Sequence, residues 1–149
     1  YSTEAFTKLI KPGTAIGLDD VETADIGSIG SYNILAWHKL GAVGVVTDAS
    51  SRDTDEIAIE KVPLYLRKKG RGIRPGRNEL ESVNRPVVIG GVLVCPGDVV
   101  VADGEGVIVV PRNVAEQVAE YAREILDKDK AGRKSLYESM GRELDQTVE

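Results

Sequence analysis

Apolar positions along the chain follow two rhythms, short continuous runs and helically spaced stripes, and their alternation predicts the elements. Thr14 to Leu18 is a short, mostly apolar run closed by Asp19-Asp20, and Val43 to Thr47 reads as a fully buried strand. Val62 to Leu66 makes another strand, with Pro63 near its start favouring a sheet edge. Phe6, Leu9 and Ile10 are spaced as on a helix over 2–10, started by Ser2 or Thr3 ahead of Glu4 and stopped by Lys11-Pro12-Gly13. Ile34, Leu35 and Trp37 or His38 predict a second helix that Gly41 ends, and Ile57 to Ile59 completes a short third one.

The pattern then changes. Val87–Ile89, Val92–Val94, Val99–Ala102 and Val107–Val110 are valine-rich strands separated by Gly90-Gly91, Pro96-Gly97-Asp98 and Asp103-Gly104-Glu105-Gly106. They predict one compact antiparallel or mixed layer whose turn glycines and acids are structural. After Pro111, Asn113 with Glu116 three residues on resembles a helix cap, and Val114, Val118, Tyr121, Ile125 and Leu126 form one apolar stripe. Beyond Asp127 charge rises, and Leu136, Tyr137, Met140 and Leu144 give only an intermittent apolar face. This predicts a domain over 1–126 and a helical arm over 127–149 that packs on a neighbouring subunit. No internal repeat, low-complexity segment or linker divides the chain.

Composition narrows the classes. With 149 residues, 42% of them hydrophobic, the chain is long enough for one domain with its own core. A formal net charge of -5 argues against general nucleic-acid or membrane-surface binding. The single cysteine, Cys95, has no intramolecular disulfide partner and reads as a small buried hydrophobe, and no Cys or His spacing suggests zinc. A reducing cytoplasm is the expected compartment. No apolar run reaches the roughly 18 residues of a membrane span, and the first residues lack the order of a signal peptide. The chain opens on Tyr1 rather than methionine, which is read as a missing N-terminal piece.

Candidate chemistry concentrates between Gly27 and Glu56. Gly27 and Gly30 read as a glycine-rich turn that lets backbone approach a ligand, and the amides opening the next helix suit an anion; a plain tight turn has the same sequence. The strand over Val43–Thr47 is followed by Asp48, the small residues Ala49, Ser50 and Ser51, then Arg52-Asp53, with Asp55 and Glu56 in the next turn. Arg52 is able to grip a carboxylate through its planar fork, and Asp53 to hold a divalent ion directly or through water. A capped helix start beside a surface ion pair is an equal reading of the same two residues. His38, the only histidine, is read as a surface or packing residue, and Asp19-Asp20 as a solvated strand end rather than a metal site. The stretch from Arg67 to Arg77 has no acid and reads as a cationic loop, either solvated or open to phosphate, a polycarboxylate or RNA; without aromatic interleaving, base stacking is not indicated.

These residues resemble the family that contains the regulator of ribonuclease activity A and the class II 4-hydroxy-4-methyl-2-oxoglutarate/4-carboxy-4-hydroxy-2-oxoadipate aldolases, some of which carry an older label as demethylmenaquinone methyltransferases. The resemblance rests on Gly27 to Gly30, the GAVGVVTD run from Gly41 to Asp48, Arg52-Asp53 followed after two residues by Glu56, Asn84-Arg85-Pro86-Val87, the run from Pro96 to Asp103, and Gly106 to Pro111. It implies a swivelling β/β/α fold resembling phosphohistidine domains, a trimer or hexamer with sites between subunits, and a divalent ion, magnesium or manganese, as cofactor. By the same resemblance Asp53 is the metal residue and Arg52 binds the pyruvyl group. Gly30, Ser31, Tyr32 and Asn33 surround a small 2-oxo acid, and Glu124, Asp127 or Asp129 reaches a neighbour's site. The implied activity is retro-aldol cleavage of 4-hydroxy-2-oxo acids or oxaloacetate decarboxylation, and the alternative is a non-catalytic regulator of ribonuclease E or a related RNA-processing protein. The chain departs from the aldolases at Ser31, where they carry an acid, because serine is too weak a base at neutral pH to replace a carboxylate.

Overall fold

The computed structural model describes residues 4–20 and 25–148. The chain divides into two compact units, 1–109 and 110–149.

The first unit is built on a parallel sheet. Strand β1 (Thr14–Leu18) occupies the predicted residues, because its apolar run is bounded by a turn glycine and an acidic pair. Strand β2 (Ile26–Ile29) corrects the expected glycine-rich turn: Gly27 lies in extended backbone, and the chain leaves the sheet only at Gly30. Helix α2 (Ser31–Lys39) returns it to the sheet and ends with Gly41 at φ +111°, a conformation that glycine adopts without strain. The preceding helix, α1 (Glu4–Thr7), is shorter than the expected one over 2–10, and its predicted start at Ser2 or Thr3 lies outside the described residues.

Strand β3 (Ala42–Ser51) is the centre of the sheet and runs four residues past the expected end at Thr47. It is also not buried throughout, since Val43 is exposed. The extension through Asp48, Ala49, Ser50 and Ser51 is held by neighbours on both sides. Val45 to Thr47 lie between β1 and β4 (Leu64–Lys69), whereas Ser50 and Ser51 lie between β2 and β4, all in parallel. Hydroxyls add to the ladder, with Ser50 Oγ donating to Ile26 O and Ser51 Oγ to Ile29 O. Helix α3 (Thr54–Glu60) joins β3 to β4, which forms the predicted edge beside Pro63 but starts two residues later than expected. On the other side β5 (Gly72–Ile73) pairs with β2, so the expected basic loop over 67–77 is partly strand.

Ile16, Ile29, Ile34, Trp37, Ala42, Val45, Ile57 and Val62 form the core where α2 and α3 cover the sheet, with Phe6, Ile10, Leu18 and Leu64 against it. His38 is exposed, in keeping with the surface or packing role expected of it, and its Nδ1 lies 2.8 Å from Ala42 O.

The valine-rich segments are two separate ladders rather than one layer. Strands β6 (Val87–Ile89) and β7 (Val92–Val94) form an antiparallel hairpin through Gly90-Gly91, both at positive φ, and β8 (Val99–Asp103) pairs with β9 (Gly106–Val110). The acids between them are structural as expected. Asp98 Oδ2 accepts the Cys95 N–H at 2.8 Å, and Asp103 Oδ1 accepts that of Glu105 at 2.8 Å. Cys95 itself is half-buried rather than buried.

In the second unit a single 3-10 turn (Arg112–Val114) leads into α4 (Ala115–Ser139), a helix of 25 residues that passes positions 126 and 127 without interruption. Asn113 does not cap it. The Val114 N–H is taken by Pro111 O at 3.1 Å, and the helix begins one residue after the 3-10 turn with no side-chain cap. The unit closes on itself at its far end, where the Arg133 and Arg142 guanidiniums lie 5.8 and 4.7 Å from the Tyr137 ring centre and Arg133 donates to Thr147 Oγ1 at 3.0 Å. Among the described residues no helix is long and apolar enough to cross a membrane.

Candidate active site

The candidate pair stands where β3 gives way to α3. The Arg52 N–H donates to Ile29 O at 3.0 Å, which continues the ladder between β3 and β2 for one more residue. Asp53 then takes a left-handed conformation (φ +58°), costly for most residues and tolerated by aspartate, and the chain turns into α3. That turn aims the carboxylate away from its own helix. Asp53 Oδ2 accepts the N–H of Ser31, in the first turn of α2, at 3.3 Å and lies 3.4 Å from Arg52 Nε. Of the structural reading, a capped helix start beside a surface ion pair, the cap fails, since Asp53 makes no cap bond to α3, while the ion pair is present.

Gly30 is the floor under this pair. A β-carbon there would lie 2.5 Å from Asp53 Oδ2 and 2.8 Å from Arg52 Nε, and one at Gly27 would lie 2.8 Å from Arg52 Cβ. Both glycines serve close approach rather than positive φ, and the group that approaches is the chain's own charged pair. Gly30→Ala is accordingly expected to displace both side chains and lower the activity of this site by more than about tenfold, since a misplacement of about 1 Å can cost on the order of 10²-fold. Thermal unfolding should change little, and activity within threefold of wild type would show that the pair's position is immaterial.

Ser31 bridges two acids. Its N–H is bound to Asp53, and its hydroxyl donates to Glu56 Oε2 at 2.5 Å across 25 residues of sequence. Glu56 is the site residue whose contact was not legible in the sequence, where only its distance from Arg52-Asp53 drew notice. Tyr32 and Asn33 follow in the same turn of α2 and Tyr32 is 84% exposed; none of Gly30, Ser31, Tyr32 and Asn33 lines the cleft.

The cleft has a volume of about 510 Å³ and is lined by Arg52, Asp53, Asp55, Glu56 and, from the far wall, Asp25, Lys69 and Arg71. The cationic stretch thus supplies part of it. Arg71 is committed to Asp25, with Nη2 and Nε at 2.7 and 2.9 Å from Oδ2 and its N–H at 3.0 Å from Oδ1. The side-chain hydrogen bond from Arg71 holds the Asp25 carboxyl below the usual carboxylate range. Lys69 is 3.9 Å from Asp55, a pair between two well-exposed groups and correspondingly weak.

A larger groove of about 660 Å³ in the same unit runs past β1 and the hairpin, but the two adjacent acids on it are engaged structurally. Asp20 Oδ1 accepts from Asn78 at 2.8 Å and Asp19 Oδ2 from the Val88 N–H at 3.3 Å.

Residues 5–109, which include the parallel sheet and the whole of this cleft, match the model of the RraA-like family, described as Aldolase/RraA. The chain belongs to the RraA-like family. Its relatives carry several kinds of name, aldolase and RraA among them. A provisionally named 4-hydroxy-4-methyl-2-oxoglutarate aldolase of Halalkalibacterium halodurans is 27% identical over 130 residues, 87% of this chain and 61% of the relative. Streptomyces coelicolor RraAS2, described as an unusual member of the RNase ES inhibitor RraA protein family, is 27% identical with a TM-score of 0.80 over 89% of this chain and 67% of its own. An uncharacterised Pseudomonas syringae pv. tomato protein superposes with a TM-score of 0.81 at 28% identity, covering 97% of this chain and 72% of its own. The mixed α/β fold with a long C-terminal helix is that of these RraA-like neighbours. The chain spans about three fifths of the length of the relatives named for their sequence, 61% in the Halalkalibacterium case.

Glu124, Asp127 and Asp129 all lie on α4. At about 100° per residue Glu124 and Asp127 share a face, whereas Asp129 projects from another. Among the described residues no three His, Cys, Asp or Glu side chains converge as a ready-made metal site.

Proposed function

We propose that this chain is a divalent-metal-dependent lyase of 2-oxo acids, releasing pyruvate from 4-hydroxy-2-oxo acids, decarboxylating oxaloacetate, or both. The observation that carries the reading is the adjacent Arg52 and Asp53, seated against Gly30 at the rim of the sheet with their charged groups facing one cleft. Open α/β sheets place ligands at this end of their strands.

The residues present fit magnesium or manganese. Such ions keep several waters and need only one or two protein carboxylates. Asp53 is 37% exposed, makes both its contacts through Oδ2 and opens onto a cleft with room for water. Glu124 and Asp127 from a neighbouring copy in a trimer or hexamer complete the site in this account, with the arm over 127–149 packed on that copy. When bound, the ion supplies Lewis-acid polarisation of the substrate's 2-oxo group.

Everything else falls to the chain. Arg52 presents a planar, permanently charged fork to the 2-oxo acid and stabilises the negative charge that develops when the carbon–carbon bond breaks. The Ser31 N–H and the Arg52 guanidinium fix Asp53 from two sides. Ser31 orients but takes no proton.

The test is steady-state pyruvate release from 4-hydroxy-4-methyl-2-oxoglutarate and from oxaloacetate, with magnesium or manganese and with excess chelator. Turnover that requires the ion and falls by about 10²-fold or more in Arg52→Ala supports the reading; turnover no greater than that of the variant overturns it.

A second reading, a regulator of RNA processing, is favoured by the likeness to Streptomyces coelicolor RraAS2. Salt-resistant capture of a ribonuclease E-type enzyme, together with no ion-dependent turnover, would place the chain in that class.

A further inference from the structure

The sheet of the first unit has two faces, and α2 and α3 cover one of them. Ile16, Ile29 and Val45 point to that side and join the core. Successive residues of a strand alternate between faces, so Gly17, Ser28 and Val46 point to the other. There Gly17 pairs with Val46 across the ladder, and a β-carbon at Gly17 would come within 3.0 Å of Ile89 Cδ1 in β6. All three residues line the groove of about 660 Å³.

Ser28 is the anomaly in this groove. It is 8% exposed, and its Oγ has no hydrogen-bond partner among the described residues. Buried hydroxyls are ordinarily bonded, because a buried polar group without a partner forfeits its bond to water and gains nothing in return. Two other serines of the same sheet follow that rule, with Ser50 Oγ donating to Ile26 O and Ser51 Oγ to Ile29 O. The Ser28 hydroxyl is itself covered in this conformation. Rotation about χ1, its one carbon–carbon side-chain torsion with three staggered settings, is the movement by which it would meet a ligand.

The rest of the lining says what kind of ligand. Its apolar part includes Phe6, Ile10, Leu18, Val100 and Val107. Among the described residues the charged part is five acids against three arginines, a balance that disfavours a carboxylate or a phosphate. Asp19, Asp20 and Asp98 already accept hydrogen bonds within the chain, so the acids do not ask for a cation either. Grooves of about 300–1,000 Å³ with apolar walls and a few placed polar groups are of the size that takes small molecules.

We propose that this groove is a second binding site, for a small neutral molecule with an apolar body and a carbonyl oxygen that accepts the Ser28 hydroxyl. It shares no lining residue with the cleft at Arg52 and Asp53, so it stands or falls apart from the lyase reading.

The test is a titration of the full chain followed by backbone-amide NMR, with acetophenone as the carbonyl probe and α-methylstyrene as its isostere carrying CH₂ in place of the oxygen. Acetophenone should bind saturably and shift amides of β1, β2 and β6. Ser28→Ala should weaken acetophenone about three- to tenfold, the worth of one hydrogen bond, and leave α-methylstyrene within twofold. Its thermal midpoint should equal or exceed that of wild type, since no bond within the fold is lost. Absence of saturable binding, shifts confined to the Arg52–Asp53 cleft, or equal weakening of both probes overturns the proposal. A midpoint lowered by more than about 4 °C does so too, because the hydroxyl would then have a partner within the protein. Shifts of the same amides on tenfold dilution of the ligand-free protein would assign the groove to a second copy of the chain and equally overturn it.

Discussion

Arg52→Ala is expected to lower kcat/KM for 2-oxo acid cleavage by about 10²- to 10³-fold, equivalent to roughly 2.7–4 kcal/mol of transition-state stabilisation. The magnitude follows from what the guanidinium does. In the lyase reaction proposed above it would meet charge that grows as the carbon–carbon bond breaks, from a position preset by the backbone bond to Ile29 and by the glycine floor at Gly27 and Gly30. Because the charge is larger in the transition state than in the bound substrate, most of the loss should appear in kcat rather than KM. Folding should be spared. The Arg52–Asp53 contact is 3.4 Å long between side chains that are each 37% exposed, and an exposed ion pair contributes at most about 1 kcal/mol. Lysine should restore only part of the activity, since it keeps the charge but lacks the planar fork. Unfolding curves with steady-state rates separate these effects, and a variant with wild-type kcat would show that Arg52 takes no part in the chemistry.

Trp37→Ala is expected to be the most destabilising single truncation, costing about 3–5 kcal/mol. Trp37 is 2% exposed and belongs to the cluster that joins α2 to the sheet, and its ring meets that of Phe6 edge-on with centres 5.1 Å apart. Removing it empties a large volume between elements that cannot all close in, and forfeits an aromatic pair worth about 0.5–1.5 kcal/mol. Against a typical total of about 5–15 kcal/mol, such a loss leaves little folded protein at physiological temperature. Because α2 also carries Ser31 into the site, activity should fall together with the folded fraction. Denaturant unfolding at fixed protein concentration measures the change, and a cost below about 1 kcal/mol would mean that α2 is not anchored through this residue.

The elements that were legible in the sequence are those whose signal is local. Strand β1 is a short apolar run between turn residues, the Gly90-Gly91 hairpin has a dipeptide suited to two positive φ angles, and α4 repeats its apolar side chains at helical spacing. Most of the errors involve partners distant in sequence. The last four residues of β3 are polar or small and look like a strand's end, yet β2 and β4 hold Ser50 and Ser51 on both sides. Gly27 looks like a turn glycine because nothing near it announces Arg52, 25 positions later, as the group that needs the space. Asn113 carries cap chemistry, but Pro111 and the 3-10 turn after it set the start of the helix. Within the site the same division holds. Arg52 and Asp53 stand out by their adjacency at a strand end, whereas the bond between Ser31 and Glu56 joins two helices whose register depends on the whole sheet.

The account depends on Asp53 holding a divalent ion beside a 2-oxo acid gripped by Arg52. Anomalous diffraction from crystals soaked with manganese and pyruvate tests this most directly. The predicted result is a manganese peak about 2.1 Å from an Asp53 carboxylate oxygen, with pyruvate between the ion and the Arg52 guanidinium. Manganese bound elsewhere, with pyruvate absent from the cleft, would contradict it.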